Sequence, residues 1–287
     1  MHYNIAGHIL EILKGELGYI PGFSCFISNP TVQKPLLTIR LNEEVSDQDA
    51  GLLYLFTVEN ATCKFSSDGK SYFFQVQEAG NISWLMKICP DEEKFIVLTN
   101  MNESTNSYIL CFAIWIAFGI ASLYRQTVAI HASAITYNKK AILFLGESGT
   151  GKSTQSQLWL QYIPDSMLLN DDSPFIRVNS NNLLIACGSP WSGKTPCYQN
   201  EQAPIAALIR LKQAPYNAIN RLRTIEAIGA LQPSLPPIFA TDPTLSNLMY
   251  QCLSFMLNQA PVYSFDCLPN EDAANLIYKT LKEDGWI

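Results

Sequence analysis

The chain has 287 residues, of which 48% are hydrophobic and 15% are charged, and its formal net charge is -6. A chain of this length and composition can form one large domain or two. The negative charge argues against nucleic acid and against an anionic membrane as the main partner. The eight cysteines form no C-x-x-C pair. This is typical of free thiols in a reducing cytoplasm and argues against a zinc site.

Residues 1–106 have the pattern of a β-rich N-terminal region. Leu37, Ile39 and Leu41 alternate with polar residues, as in a half-buried strand. Asp68-Gly69 predicts a hairpin turn. Residues 1–13 lack the pattern of a secretory leader. The predicted strands are 23–28, 36–41, 53–58, 62–66, 71–76, 83–89 and 94–99. The region is either a separate lobe or an extension of the sheet that follows it.

The segment 108–124 contains no charged side chain. It is close to the length that spans a bilayer, about 20 residues. A helix buried on nearly all sides of a large core has the same composition. We favour the buried helix, because the segment is short for a membrane span and has no strongly basic flank. It also leads directly into the glycine-rich part of the chain described next, which has to lie in water.

A glycine-rich stretch follows an apolar run of strand length, 141–145, and precedes a segment with helical spacing, 155–162. It fits the phosphate-binding pattern G-x-x-x-x-G-K-[ST], also called Walker A. Glycines let successive N–H groups face phosphate oxygens, and the helix adds its positive end. We therefore predict ATP and Mg2+ as ligands, with Lys152 at the β- and γ-phosphates and Ser153 on Mg2+. The stretch is Gly146, Glu147, Ser148, Gly149, Thr150, Gly151, Lys152, Ser153 and Thr154.

Candidate catalytic residues lie on both sides of this loop in the sequence. His131 falls in an apolar β run, 128–135, where a histidine is either a core residue or a functional one. Asp171 and Asp172 follow a short apolar strand, 167–170. One carboxylate at such a strand tip can hold Mg2+, and a second can accept a proton from an attacking hydroxyl. The alternative for the aspartates is a solvated turn.

Two further cations are candidates for contacts with phosphate or substrate. Lys194 lies in the stretch 188–197, which is either a binding lip or a structural turn. Pro190 and Pro196 argue against a second phosphate loop there. Arg210, in a predicted strand 206–211, ranks ahead of Arg221 and Arg223 as a phosphate contact. The remaining predicted elements are helices 224–231, 245–257 and 271–281, a strand 262–266 and a proline-rich connector 233–243.

The segments His131-Ala132-Ser133, the glycine-rich loop and Asn170-Asp171-Asp172, in this order and at this spacing, resemble the catalytic domain of the HPr kinase/phosphorylase family. The resemblance covers about residues 128–178. It implies a fold shared with ATP-dependent phosphoenolpyruvate carboxykinase: an α/β P-loop nucleotide-binding domain, here 107–287, beside the β-rich region. By this resemblance Ser153 and one aspartate hold Mg2+, the other aspartate is the general base, and His131 supports the base or the phosphoryl group.

The resemblance implies an ATP-dependent kinase that transfers the γ-phosphate to a hydroxyl. The segment with which HPr kinase engages its protein substrate has no counterpart that we can locate. The acceptor is therefore open between a small molecule and a peptide or protein serine. A non-catalytic nucleotide-binding regulatory module and a phosphoenolpyruvate carboxykinase-like enzyme also remain open, as does a homo-oligomeric state.

Overall fold

The computed structural model describes residues 1–13, 15–29, 32–58, 61–78, 82–91, 93–193 and 195–287. The protein is a mixed α/β chain, rich in strands and with few helices. It divides into two compact units, Met1–Arg125 with Ile238–Ser246, and Gln126–Pro237 with Asn247–Ile287. The domain limits proposed from the sequence, 1–106 and 107–287, stay a prediction.

The first unit contains one nine-stranded sheet with the strand order β3-β1-β2-β4-β9-β8-β7-β6-β5. Strands β5 to β9 form an antiparallel meander, and β4 pairs in parallel with both β2 and β9. The strands are β1 (His2–Ile5), β2 (His8–Leu13), β3 (Ile27–Ser28), β4 (Leu37–Arg40), β5 (Gly51–Val58), β6 (Ala61–Ser67), β7 (Tyr72–Gln77), β8 (Ser83–Asp91) and β9 (Lys94–Thr99).

Six of the seven strands predicted in this region are present, together with the hairpin turn at Gly69, whose φ is 83°. The prediction of a strand over 23–28 is wrong for most of its length. A 3-10 helix occupies Phe23–Phe26, and its first and last residues are both buried, which the three-residue repeat of that helix allows. Strands β1 and β2 are not among the sequence predictions.

Helix α1 (Ser107–Leu123) confirms the predicted buried helix. The Asn106 side chain caps it by accepting a hydrogen bond from the Tyr108 N–H at 2.9 Å. Buried residues occupy all sides of its second half, from Ile116 to Leu123, and the helix packs on β4, β7, β8 and β9. In the part of the chain that the structure describes, no helix has both the length and the apolarity needed to cross a membrane.

The second unit contains a mixed sheet with the order β10-β14-β15-β16-β12-β11-β13, in which β18 pairs with β16 and β17 pairs with β18. The sequence predictions do not include β14, β15 and β17. The strands are β10 (Thr127–Ala129), β11 (Ala132–Tyr137), β12 (Lys140–Leu145), β13 (Met167–Asp172), β14 (Phe175–Val178), β15 (Leu184–Cys187), β16 (Gln202–Gln213), β17 (Ala218–Arg221) and β18 (Val262–Cys267).

Four further α-helices follow in the residues that the structure describes, and each confirms a predicted helix. Asn270 caps the last one by accepting a hydrogen bond from the Ala273 N–H. The first packs on the last and on β11, β12 and β13. Its Trp159 is fully buried, with ring contacts to Tyr137, Phe144 and Tyr278. The helices are α2 (Lys152–Tyr162), α3 (Thr224–Leu231), α4 (Pro243–Gln259) and α5 (Glu271–Glu283).

Candidate functional site

The register of the second sheet brings most of the predicted site residues to one edge. Strand β11 runs antiparallel to both β12 and β13, while β12 and β16 are parallel. The start of β11 and the ends of β12 and β13 therefore lie side by side. One row of paired residues crosses four strands as Asp172, Ala132, Leu145 and Arg210. His131 and Gly146 are the next residues along their strands, so the edge collects a histidine, two aspartates, an arginine and the glycine-rich loop.

The predicted strand, glycine-rich loop and helix are present as β12, residues 146–151 and α2. Gly149 and Gly151 have φ values of 82° and 102°, which favour glycine. Helix α2 begins at Lys152, and its first intrahelical bond is from the Gln155 N–H to the Gly151 carbonyl at 2.9 Å. The amides before Gln155 have no partner within the helix, and Ser153 is only half-buried there. The loop therefore offers N–H groups and a positive helix end to an anion.

Lys152 folds back over the loop from the first turn of α2. Its Nζ donates to the Gly146 and Glu147 carbonyls at 2.9 and 3.2 Å. Burial lowers the pKa of this ammonium, and the nearby Asp172 and Asp171 offset part of that effect. The ammonium is thus held inside the loop by weakly competing carbonyl acceptors, where a bound phosphate would be a stronger partner.

Ser153 and Asp171 meet at the N-terminus of α2. The Ser153 hydroxyl donates to Asp171 Oδ1 at 2.9 Å. Asp171 is only 3% exposed, and its Oδ2 accepts no hydrogen bond from the part of the chain that the structure describes. A buried carboxylate oxygen without a donor is costly unless a cation or other partner supplies the missing contact.

These two side chains fit a Mg2+ site that a bound phosphate would complete. Mg2+ prefers oxygen ligands and is commonly held by one or two carboxylates together with substrate phosphates and water. Among the described residues, no group of three or more His, Cys, Asp or Glu side chains gathers in a way that could hold a metal. The metal ligands that the described residues offer here are therefore the Ser153 hydroxyl and the Asp171 carboxylate, one of whose oxygens accepts no hydrogen bond from those residues.

Asp172 has a different environment from its neighbour. Its side chain is 48% exposed, and Oδ1 lies 3.4 Å from His131 Nε2. Its φ of 136° is disfavoured for a residue with a side chain. The Asp172 backbone forms an isolated antiparallel β-bridge with Ser192. The alternation of strand β13 thus turns one aspartate inward to Ser153 and the other outward to the imidazole.

The sequence predicts one continuous strand over 128–135. In the structure His131 instead lies between two strands. The structure has two strands, β10 and β11, with Ile130 and His131 between them. The reason is that their amides bond to different segments: the Ile130 N–H donates to the Pro174 carbonyl at 3.0 Å, and the His131 N–H donates to the Ser234 carbonyl at 2.8 Å. This break leaves the imidazole at the sheet edge beside Asp172.

Arg210 reaches the same edge from β16. Its Nη1 donates to the Ser234 hydroxyl at 3.2 Å, and its Nη2 lies 3.5 Å from Glu147 Oε1 in the loop. The Arg210 side chain is 17% exposed, whereas that of Glu147 is 78% exposed. A second side chain of β16, Gln213, donates to the Gly149 carbonyl at 3.0 Å. Ser234 and Gln213 are absent from the sequence predictions, since neither belongs to a motif.

The stretch 188–197 packs against the end of β13. The Gly193 N–H donates to the Asp171 carbonyl at 2.5 Å, and the Ser192 hydroxyl donates to the same carbonyl at 3.2 Å. Buried Asn170 holds the stretch, because its Nδ2 lies 3.0 Å from the Trp191 carbonyl and 3.3 Å from that of Ser189. The predicted candidate Lys194 lies outside the described residues. The stretch that carries it borders the two aspartates.

The other two arginines weighed from the sequence have partners elsewhere. Arg221 lies over the Trp286 ring, with 5.6 Å between its Cζ and the ring centroid. Arg223 pairs with Glu226 at the start of α3, at 2.9 Å. Arg210 is the member of this group that the structure places beside the glycine-rich loop.

Comparisons with known proteins find distant likenesses among solved structures. No family model and no curated protein matches the chain. The chain is similar to a solved structure described as that of the Hpr(Ser) kinase/phosphatase from Coxiella burnetii, at 16% identity and a TM-score of 0.32. The match covers 55% of this chain and 93% of that chain. A likeness at this identity and TM-score does not show the family, which stays a prediction.

Proposed function

We propose that the protein is an ATP-dependent phosphotransferase, a kinase whose acceptor is a hydroxyl of a small molecule or of a peptide or protein serine. The observation that supports this most is the contact of Ser153 with Asp171, directly beside the pair of Asp172 and His131. Residues that are far apart in the sequence meet at the mouth of a loop suited to phosphate. Phosphoryl transfer needs mainly positioning and charge neutralisation, and this edge supplies both.

Each residue has a role in this proposal. The loop amides of 146–154 bind the triphosphate, and Lys152 exchanges its carbonyl partners for phosphate oxygens. Ser153 and Asp171 would hold Mg2+, which when bound neutralises charge on the phosphates. Arg210 neutralises charge from the β16 side. Lys194, which follows Gly193 in the sequence, is a further candidate contact.

Asp172 is the general base in this proposal. An exposed carboxylate can meet an acceptor hydroxyl, whereas the buried Asp171 cannot. The hydroxyl oxygen forms its bond to the γ-phosphorus, the bond from that phosphorus to the departing ADP oxygen breaks, and Asp172 takes the hydroxyl proton. His131 orients the carboxylate through the 3.4 Å contact with Oδ1. This division assigns the metal to one aspartate and the proton to the other, a choice that the sequence leaves open.

The test is transfer of labelled γ-phosphate from ATP with Mg2+ into a cell extract, with the products separated into protein and small-molecule fractions. Lys152→Ala should abolish labelling, and Asp172→Asn should abolish labelling while nucleotide binding remains. Asp165→Asn, at an exposed aspartate in the turn after α2, is the matched control and should transfer normally. If the unmodified protein binds ATP tightly but transfers no label, the kinase proposal is contradicted and the non-catalytic regulatory module is favoured. Unchanged labelling by Asp172→Asn would contradict the base assignment.

A further inference from the structure

Ser234 joins two parts of the candidate site that come from different segments of the chain. It is 2% exposed and ends the 3-10 helix Gln232–Ser234, which comes directly after α3. Its carbonyl accepts the His131 N–H at 2.8 Å, and its hydroxyl accepts Arg210 Nη1 at 3.2 Å. One buried residue therefore bonds both to the backbone of His131 and to the guanidinium of Arg210, which faces the glycine-rich loop.

We propose that Ser234 is a positioning residue that holds Arg210 in register with His131, so that the guanidinium faces the phosphates of bound nucleotide. The inference rests on the proposed function and extends it to a residue outside every motif. The two partners of Arg210 differ in a way that supports this role. Ser234 is buried and its carbonyl is bonded to the His131 N–H, whereas the Glu147 carboxylate is 78% exposed and its 3.5 Å contact is long. An exposed ion pair of this kind contributes little.

Nucleotide binding would therefore change one partner of the guanidinium and keep the other. Nη2 exchanges the Glu147 carboxylate for a phosphate oxygen, which is a stronger charge-assisted acceptor. Nη1 stays on the Ser234 hydroxyl, which keeps the plane of the guanidinium fixed. Because Arg has many rotamers, a fixed acceptor reduces the ordering cost when phosphate binds.

The experiment is a double-mutant cycle on Mg-ATP affinity, measured by calorimetry with Ser234→Ala, Arg210→Ala and the double variant. Ser234→Ala removes the hydroxyl and keeps the carbonyl bond to His131. We expect it to weaken ATP binding about tenfold in the presence of Arg210. In the Arg210→Ala background the same change should alter affinity by less than about twofold, because the hydroxyl then has nothing to position.

The control is Ser156→Ala, which removes another buried hydroxyl of the same unit, one bonded to Ser133 at 2.6 Å. It should leave ATP affinity unchanged. If Ser234→Ala does not fold, Ser234→Thr and Ser234→Val replace it, since they share a shape and differ in the hydroxyl. The threonine variant should then bind ATP about tenfold more tightly than the valine variant.

Equal losses of affinity in both Arg210 backgrounds would overturn the inference, as would equal affinities of the threonine and valine variants. Failure of the proposed function has a separate signature: the unmodified protein would not bind Mg-ATP, or Lys152→Ala would bind it equally well. In that case the proposed role of Ser234 is overturned together with the function.

Discussion

We expect that replacing Asp171 with asparagine leaves the stability of the nucleotide-free protein unchanged or raises it. Oδ2 of this buried carboxylate has no donor among the described residues. An unsatisfied buried polar atom costs about 1–3 kcal/mol. Asp171→Asn keeps the shape and replaces a buried charge with a neutral amide, which costs less to bury. The lost attraction to Lys152 offsets part of the gain.

We therefore expect a change in unfolding free energy between zero and a gain of about 2 kcal/mol, or up to about 8 °C in Tm. Removal of one member of a structural buried ion pair would instead cost about 3–5 kcal/mol. The assay is urea unfolding without nucleotide, and then thermal unfolding with Mg-ATP. In the unmodified protein, ligand at 100 times Kd should add about 2.7 kcal/mol.

Asp171→Asn should lose most of the Mg-dependent part of that addition. Asp172→Asn is the matched control. It removes an exposed carboxylate 3.4 Å from His131 and should keep the Mg-ATP effect. A loss of about 3 kcal/mol or more for Asp171→Asn without nucleotide would refute the reasoning, because Asp171 would then be structural. An unchanged Mg-ATP effect in Asp171→Asn would refute its role as a metal ligand.

Three further predictions concern the scaffold. Gly188→Ala would place a Cβ 1.9 Å from the Gln199 carbonyl oxygen, so we expect a loss of at least about 3 kcal/mol in urea unfolding. Gly119→Ala, whose Cβ would lie 2.8 Å from Phe239 Cζ, should cost about 1–3 kcal/mol; no loss in either variant would show that the neighbour moves freely. Burial raises the pKa of four thiols, to about 11 for three and to about 12 for the fourth. The folded state then holds these thiol protons more tightly than the unfolded state does. The stability that the protonated thiols contribute is therefore complete below about pH 9 and is lost progressively as the pH rises through 11 and 12. Unfolding at pH 10 should show a loss of about 1 kcal/mol for each thiol relative to pH 8, reduced by replacing that thiol with alanine. A loss that survives the replacement of all four would contradict this assignment. The four thiols are Cys63, Cys187, Cys197 and Cys252.

The parts of the fold that sequence predicts well are those with a local cause. The hairpin turn predicted at Asp68-Gly69 is present with Gly69 at a φ of 83°, a region that glycine tolerates. Helix α5 has a cap at Asn270 and apolar residues at helical spacing. The strand, glycine-rich loop and helix at 140–162 arise from residues adjacent in the chain. In each case the signal and the structure lie within about ten residues of each other.

The register that assembles the site has no local signal. Asp172 pairs with Ala132 across β13 and β11, and Leu145 pairs with Arg210 across β12 and β16. The sequence identifies candidates on each strand, but which ends meet depends on strand order and direction. Asn170 donates to main-chain carbonyls, and Ser234 accepts through its own carbonyl and a single hydroxyl, and such bonds leave no residue pattern. This is why the segment around Ser234 resembles a plain connector in the sequence.

Three unfavourable local features coincide at one sheet edge. Asp172 has positive φ, Asp171 has a buried oxygen without a donor among the described residues, and Lys152 is buried with carbonyls as its hydrogen-bond partners. Each costs free energy in the nucleotide-free protein, and each would be relieved or used by an anion with a divalent cation. A solvated turn would let these groups relax into water. Here Gly193 and Ser192 bond to the Asp171 carbonyl, and β11 pairs with β13, so the backbone is held in place. The coincidence of backbone strain, a buried carboxylate oxygen without a donor among the described residues, and rigid support therefore favours a binding site over a turn.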